Sequence, residues 1–293
     1  MNNNKSINPF SFARVIQHPL ILDGAMGSML QQKGLKSDGP MWMSLANLNF
    51  PDIVYSIHKE YIDAGADIIT TNTFRTNPVA VKKFGRNLKT NNIVKHAVSL
   101  ALQAAYDLPV FVAGSNAPAE DCYQKERKIS LAKIRYNHAE HIDLLMEAGC
   151  NFILNETQSH LEEIKIISQY CSGKSIPFIM SIFTDGNLRL LSGEKLLDVI
   201  SIIQDFNPLA IGINCIKPET FLKFYKVCKM EFNWGAYLNA GAGSYKNKKI
   251  STGIFPDEYA LLIKNILVKN PSFVGGCCGT TPDHIKHIKN LYL

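Results

Sequence analysis

Two adjacent cysteines, Cys277 and Cys278, stand between glycines in the run Val274-Gly275-Gly276-Cys277-Cys278-Gly279-Thr280-Thr281-Pro282, and a third, Cys215, closes Ile211-Gly212-Ile213-Asn214-Cys215. Neighbouring side chains of a straight strand face opposite sides, so consecutive thiols do not easily both enter a core. The flanking glycines free the backbone to bend, which lets both sulfurs turn toward one ion. Three soft thiolates suit zinc and leave one tetrahedral position open, the arrangement of a site that does chemistry rather than one that only holds a fold together. The alternative is three buried structural thiols. Cys122, Cys150, Cys171 and Cys228 lie in or near helical segments and read as such buried thiols. The pairs His138/His141 and His284/His287 have helical spacing but no third ligand nearby, and read as surface residues.

Something must bring these thiols together. Short apolar runs recur along the chain at Leu20–Leu22, Asp67–Thr71, Val110–Ala113, Phe152–Leu154, Phe178–Ile182, Leu209–Ile213, Gly235–Leu238 and Phe273–Val274. Amphipathic helix-like stretches lie between them, among them Pro51–Ala64, Asn91–Tyr106, Ser130–Ala148, Leu161–Cys171, Gly193–Gln204, Pro218–Met230 and Pro256–Val268. Alternating strands and helices imply a parallel sheet, and eight strands close a (β/α)8 TIM barrel; an open doubly wound sheet is the alternative. Polar residues follow almost every run: Asp23-Gly24, Thr70 to Thr73, Ser115-Asn116, Asn155-Glu156, Thr184-Asp185, Asn214-Cys215, Asn239 and Cys277-Cys278. In a barrel those strand ends share one mouth, where active sites are built. Thr281 as cap and Pro282 in the first turn start a final helix, Asp283 to Leu291.

The bulk properties allow this and exclude other classes. The 293 residues are 46% hydrophobic and 19% charged, with no linker, so residues 1–293 read as one domain behind a polar lead-in over 1–15. A net charge of +6, scattered along the chain, argues against a nucleic-acid partner. No apolar run reaches the roughly 18–20 residues of a membrane span, and Met1 to Lys5 is polar, against a signal peptide. Seven cysteines, an odd number, fit cytoplasmic thiols better than a disulfide framework. Oligomeric state is not legible.

The chain resembles the homocysteine S-methyltransferase family, the homocysteine-binding domain of betaine-, S-methylmethionine- and cobalamin-dependent methionine-forming enzymes. The resemblance runs from Leu22-Asp23-Gly24-Ala25-Met26-Gly27 through Ala64-Gly65-Ala66-Asp67-Ile68-Ile69-Thr70-Thr71-Asn72-Thr73-Phe74, Asn155-Glu156-Thr157, Gly212-Ile213-Asn214-Cys215 and Asn239-Ala240-Gly241 to the Gly-Gly-Cys-Cys-Gly run. It implies a (β/α)8 barrel with one Zn2+ held by Cys215, Cys277 and Cys278, and an S-methyltransferase acting on L-homocysteine. Asp23 and Glu156 would bind the substrate ammonium, and the N–H groups of Gly24 and Ala25 its carboxylate. Thr73, with Thr71, is a candidate substrate contact, or else a β-branched strand residue. Asn239 approaches or orders the metal site, or is a strand-end turn residue; the family's usual proline is Leu238 here. A thiol entering the open position would react as thiolate and displace a methyl group in one step.

The donor is read from what is missing. Betaine users of the family cage the quaternary ammonium with tyrosines where this chain has Arg75 and Thr157. The cobalamin-dependent enzymes carry further modules, and this chain ends at Leu293. The expected donor is therefore a small sulfonium, S-methylmethionine or S-adenosylmethionine. Two readings stand behind it: a subunit receiving methyl from a separate cobalamin or folate partner, and a non-catalytic zinc- or thiol-binding module. A zinc hydrolase is disfavoured because the strand ends lack its His and carboxylate ligands.

Overall fold

The computed structural model describes residues 8–11, 18–37, 39–85, 87–242 and 250–293. Eight strands form a parallel ring: β1 (Leu20–Ile21), β2 (Ile68–Thr70), β3 (Phe111–Asn116), β4 (Phe152–Gln158), β5 (Phe178–Ile182), β6 (Ala210–Asn214), β7 (Trp234–Leu238) and β8 (Phe273–Gly276). They pair in the order β1-β8-β7-β6-β5-β4-β3-β2, and a parallel bridge between Leu22 and Ile68 completes the circle. That bridge decides for the (β/α)8 barrel over the open sheet. Each expected strand run forms, because a barrel strand is covered on both faces and so reads as an unbroken apolar run. All five residues of β5 and of β6 are buried.

The outer layer is α1 (Met26–Gln32), α2 (Ala46–Asn49), α3 (Pro51–Asp63), α4 (Pro78–Phe84), α5 (Thr90–Ala104), α6 (Leu131–Glu147), α7 (Leu161–Gly173), α8 (Leu196–Gln204), α9 (Pro218–Val227), α10 (Pro256–Leu267) and α11 (Pro282–Lys289). Proline at the first turn fixes the start of α3, α4, α9, α10 and α11, where its missing N–H costs nothing. The expected cap of the last helix forms as a capping box between Thr281 and His284. Three helices were not in the sequence reading: α1, α2 and α4 are short segments in the βα loops, too brief to show a period. Among the described residues, no helix is long and apolar enough to cross a membrane.

The core has two layers. Strand and helix side chains meet outside the sheet, while Leu20, Leu22, Ile68, Phe152, Leu154, Ile179, Tyr237 and Phe273 fill the lumen. Phe10 joins the lumen cluster, with its ring stacked 6.0 Å from that of Phe273, so the lead-in places one apolar plug at the strand starts. The rest of 1–15, apart from residues 8–11, lies outside the described residues. A lumen plugged at one end leaves the strand C-termini as its open rim.

The buried histidines are a correction. His138 and His141, read as surface residues, are fully buried, and so is His284. On α6, His138 and His141 share the inward stripe with Ile134, Ile142 and Leu145, a helical period that would have revealed their burial. Asn116 bridges the pair, with Nδ2 3.1 Å from His138 Nδ1 and Oδ1 2.9 Å from His141 Nδ1. His138 Nε2 donates to Glu163 (2.8 Å), and Glu163 also pairs with Arg127 at 2.6 Å. His284 caps α11 and reaches the Ile254 carbonyl at 2.9 Å, while His287 pairs with Asp257 at 3.1 Å. None of the four belongs to the thiol cluster.

Candidate functional site

The barrel brings the three expected thiols together. The Sγ atoms of Cys215, Cys277 and Cys278 all lie within 4.8 Å of one another, and those of Cys215 and Cys278 are 3.6 Å apart. With Zn–S bonds of about 2.3 Å, tetrahedral geometry asks for sulfurs about 3.8 Å apart, so the donor set fits such an ion. Cys215 is buried, while Cys277 and Cys278 are partly open to the mouth. No other group of three or more His, Cys, Asp or Glu side chains among the described residues could hold a metal.

Local backbone geometry makes this convergence possible. The chain turns sharply after β6, with Cys215 at φ 56°, a left-handed conformation that a non-glycine residue adopts only when its surroundings enforce it. Cys215 N–H donates to the Tyr237 carbonyl at 3.1 Å, which ties the turn to β7. After β8, Gly279 sits at φ 83°, and a Cβ there would lie 2.3 Å from Gly241 Cα. Glycine alone allows that close approach, and with it the Ala240 N–H to Cys278 carbonyl bond at 2.9 Å. Without a cation, three neighbouring thiols cannot all ionise. Hydrogen bonds from Cys215 and Cys277 hold the Cys278 thiol well below its usual range, and hydrogen bonds with Cys215 and Cys278 push Cys277 well above. A positive ion is what would let all three be thiolates.

Two carboxyls stand on the same rim. Glu156, near the end of β4, is partly exposed and accepts a short hydrogen bond from the Ser115 hydroxyl. Burial pushes its pKa up to about 7, with the charge of Cys215 adding to the shift. Asp23 is 2% exposed, and its two oxygens accept from Thr70 N–H (2.7 Å) and the Thr70 hydroxyl (2.8 Å). Burial pushes Asp23 up to about 8 despite those bonds, and the charge of Glu156 adds to it. Thiols and carboxyls thus lie close enough to feel one another's charge, and a cationic group between them would bring both carboxyls back to their ionised form.

The other expected contacts divide. Gly24 precedes α1, where a Cβ would sit 2.7 Å from both Thr280 Oγ1 and Tyr61 Oη; Ala25 N–H donates to the Thr280 hydroxyl at 3.2 Å. Asn239 Oδ1 accepts from Gly241 N–H at 2.7 Å, closing the turn that rests against Cys278. Thr73 is fully buried: its hydroxyl donates to the Ser115 carbonyl (2.7 Å) and lies 2.8 Å from that of Thr71. Of the displaced cage positions, Arg75 is fixed by the carbonyls of Glu120 (2.6 Å) and Pro118 (3.3 Å).

Two residues of the site escaped sequence reading. Asn214, fully buried, grips Thr157: its Oδ1 accepts from Thr157 N–H at 3.0 Å and its Nδ2 donates to Thr157 Oγ1 at 2.9 Å. Thr157 is itself left-handed at φ 58°, where the register of β4 against β5 shifts, so this clamp joins two strained backbone sites, one beside Glu156 and one beside Cys215. The second is Tyr123, in the loop after β3, whose hydroxyl lies 3.3 Å from Cys215 Sγ. Asn214 stood in plain view as Asn-Cys; nothing local marks Tyr123.

A profile of the homocysteine S-methyltransferase family matches residues 20–292. Homocysteine S-methyltransferase 2 of Arabidopsis thaliana is 23% identical over 92% of this chain and 91% of that protein. Selenocysteine Se-methyltransferase of Brassica oleracea var. italica is 24% identical, over 92% and 87%. Methionine synthase of Mycobacterium leprae is 25% identical over 93% of this chain, which matches only 24% of that longer protein. Among solved structures, the metallated form of the homocysteine methyltransferase MmuM from Escherichia coli superposes with a TM-score of 0.79 at 21% identity, covering 95% of this chain and 98% of that one.

Proposed function

Because the chain belongs to the homocysteine S-methyltransferase family, we propose that this methyltransferase moves a methyl group from a small sulfonium, S-methylmethionine first and S-adenosylmethionine second, to L-homocysteine. The observation that carries the reading is the meeting of three sulfurs and two carboxyls, Asp23 buried and Glu156 partly exposed, on one barrel rim. Cys215, Cys277 and Cys278 would hold one Zn2+, whose Lewis acidity lowers the pKa of an incoming thiol so that homocysteine reacts as the thiolate near neutral pH.

The protein groups do the rest. Glu156 and Asp23 accept the substrate ammonium, and the N–H of Gly24, at the start of α1, faces the substrate carboxylate. The Asn214–Thr157 clamp holds the ammonium end of the pocket at a set distance from the sulfurs. The homocysteine sulfur then attacks the methyl carbon in line. One C–S bond forms as the donor's C–S bond breaks, and its electron pair leaves with a neutral thioether. A betaine donor is disfavoured on two grounds. Thr157 spends its hydroxyl on Asn214, and Arg75 keeps a fixed charge, so neither offers an aromatic face to a quaternary ammonium.

The test is methionine formation from homocysteine by the zinc-loaded protein with S-methylmethionine, S-adenosylmethionine, betaine and a methylated folate in turn. Turnover with a sulfonium and none with betaine is expected. The match to one quarter of methionine synthase favours a second reading, in which methyl arrives from a separate cobalamin-bearing partner. Turnover only in the presence of such a partner would establish it.

A further inference from the structure

We propose that Tyr123 is a positioning residue of the metal centre, its phenol donating a hydrogen bond to Cys215 Sγ and so moderating the charge that the sulfurs carry. The inference rests on the metal-binding reading above and deepens it. The contact itself is 3.3 Å, within range for an O–H to sulfur bond. Three cysteine thiolates and a substrate thiolate put four negative charges around one divalent ion in a partly buried site. A donor aimed at one of those sulfurs lowers the cost of that excess, and it also fixes the rotamer of a residue on strained backbone.

The loop carrying Tyr123 is held as a device with this purpose would need to be. Tyr123 N–H donates to Asp121 Oδ1 at 2.9 Å, and Ser159 Oγ donates to the neighbouring Cys122 carbonyl at 3.0 Å. Arg127 Nη1 donates to the Asp121 carbonyl at 3.0 Å while Nη2 pairs with Glu163 at 2.6 Å. Glu163, 1% exposed, takes the Ala119 N–H on its other oxygen at 2.7 Å. The Tyr123 ring meets Phe183 edge-on, with centroids 5.1 Å apart and planes at 76°. Loop, ring and hydroxyl are thus fixed from three sides, so the phenol reaches the sulfur at little further entropic cost.

The test uses cobalt(II) in place of zinc, because thiolate-to-cobalt charge-transfer bands report the electron density on sulfur. Tyr123→Phe keeps the ring and removes the donor. Its bands are expected to move to lower energy than those of the wild type. Retention of zinc against a competing chelator is expected to fall by about 10- to 100-fold, the usual consequence of losing a partner of a metal ligand. Incorporating 3-fluorotyrosine at 123, a stronger donor in an unchanged fold, should move the bands the opposite way. If wild type, Y123F and the fluorinated protein give superimposable bands and equal zinc retention, the proposal is wrong while the metal centre stands. If the wild type takes up no cobalt or zinc at all, the metal reading fails and this inference with it.

Discussion

Glu156→Gln separates the binding of homocysteine from the chemistry at its sulfur. Gln keeps the size and can still accept from Ser115, so the variant removes a charge with little change of shape. Asp23 is a poorer probe, because Asn there has one acceptor oxygen for the two Thr70 donors that the carboxylate now accepts from, so the variant changes the hydrogen bonding as well as the charge. A charge-assisted hydrogen bond contributes about 1.5–3 kcal/mol, so losing the ammonium partner should raise the dissociation constant of homocysteine by about 10- to 100-fold. kcat should change far less, since the methyl group is transferred at the other end of the substrate. The pH dependence gives a second readout. Burial holds Glu156 protonated up to about 7, so wild-type affinity should improve as pH rises through that value and the carboxyl ionises. E156Q should lack that step and keep only the later one from Asp23, near 8. The assay is calorimetric titration of the zinc protein with homocysteine, and with 4-mercaptobutyrate, which has no amino group and should bind both proteins equally. An E156Q protein with wild-type affinity for homocysteine at pH 8, or with the step at 7 intact, would refute the ammonium role.

Three further outcomes are expected. Metal analysis of the wild type should find about one zinc per chain, and changing Cys277 and Cys278 both to Ser should abolish it; zinc that persists would mean the wrong ligands. Asn214→Ala orphans the buried Thr157 N–H, at a cost of about 1–3 kcal/mol in urea unfolding. Because the clamp links both ends of the site, N214A should weaken zinc retention and homocysteine binding together, where E156Q weakens only the second. Arg127→Met leaves Glu163 buried beside an empty place, and breaking such a pair costs about 3–5 kcal/mol. Burial alone would raise the Glu163 pKa, yet His138 and Arg127 bring it down to about 2. Its contribution to stability should therefore be full above the ordinary carboxylate value and vanish as pH falls toward 2, an acid limb that R127M should show at higher pH.

The barrel was legible because its strands are apolar on both faces and its helices are not. Apolar period and turn punctuation locate the starts of the eight strands within one residue, whereas β3 and β4 run three and four residues beyond their expected ends at Ala113 and Leu154. The thiol trio was legible for a different reason: cysteine at two strand ends, between glycines, has few uses. What escaped depends on tertiary partners. The period of α6 marks His138 and His141 as inward, but not their partners Asn116, Glu163 and Thr76, which only the folded interior supplies. Thr73 looks like a rim residue, but its hydroxyl is turned to the carbonyl of β3. Tyr123 stands 92 residues from Cys215, in a loop with no period, and only the folded loop brings them together.

The central claim is that three cysteine sulfurs hold zinc and leave a position for the substrate's own sulfur. X-ray absorption at the zinc edge tests it directly, with and without homocysteine. The free protein should show three sulfurs at about 2.3 Å and one lighter atom, and homocysteine should replace that lighter atom with a fourth sulfur. A zinc shell that homocysteine leaves unchanged, or one built from nitrogen and oxygen, would contradict it.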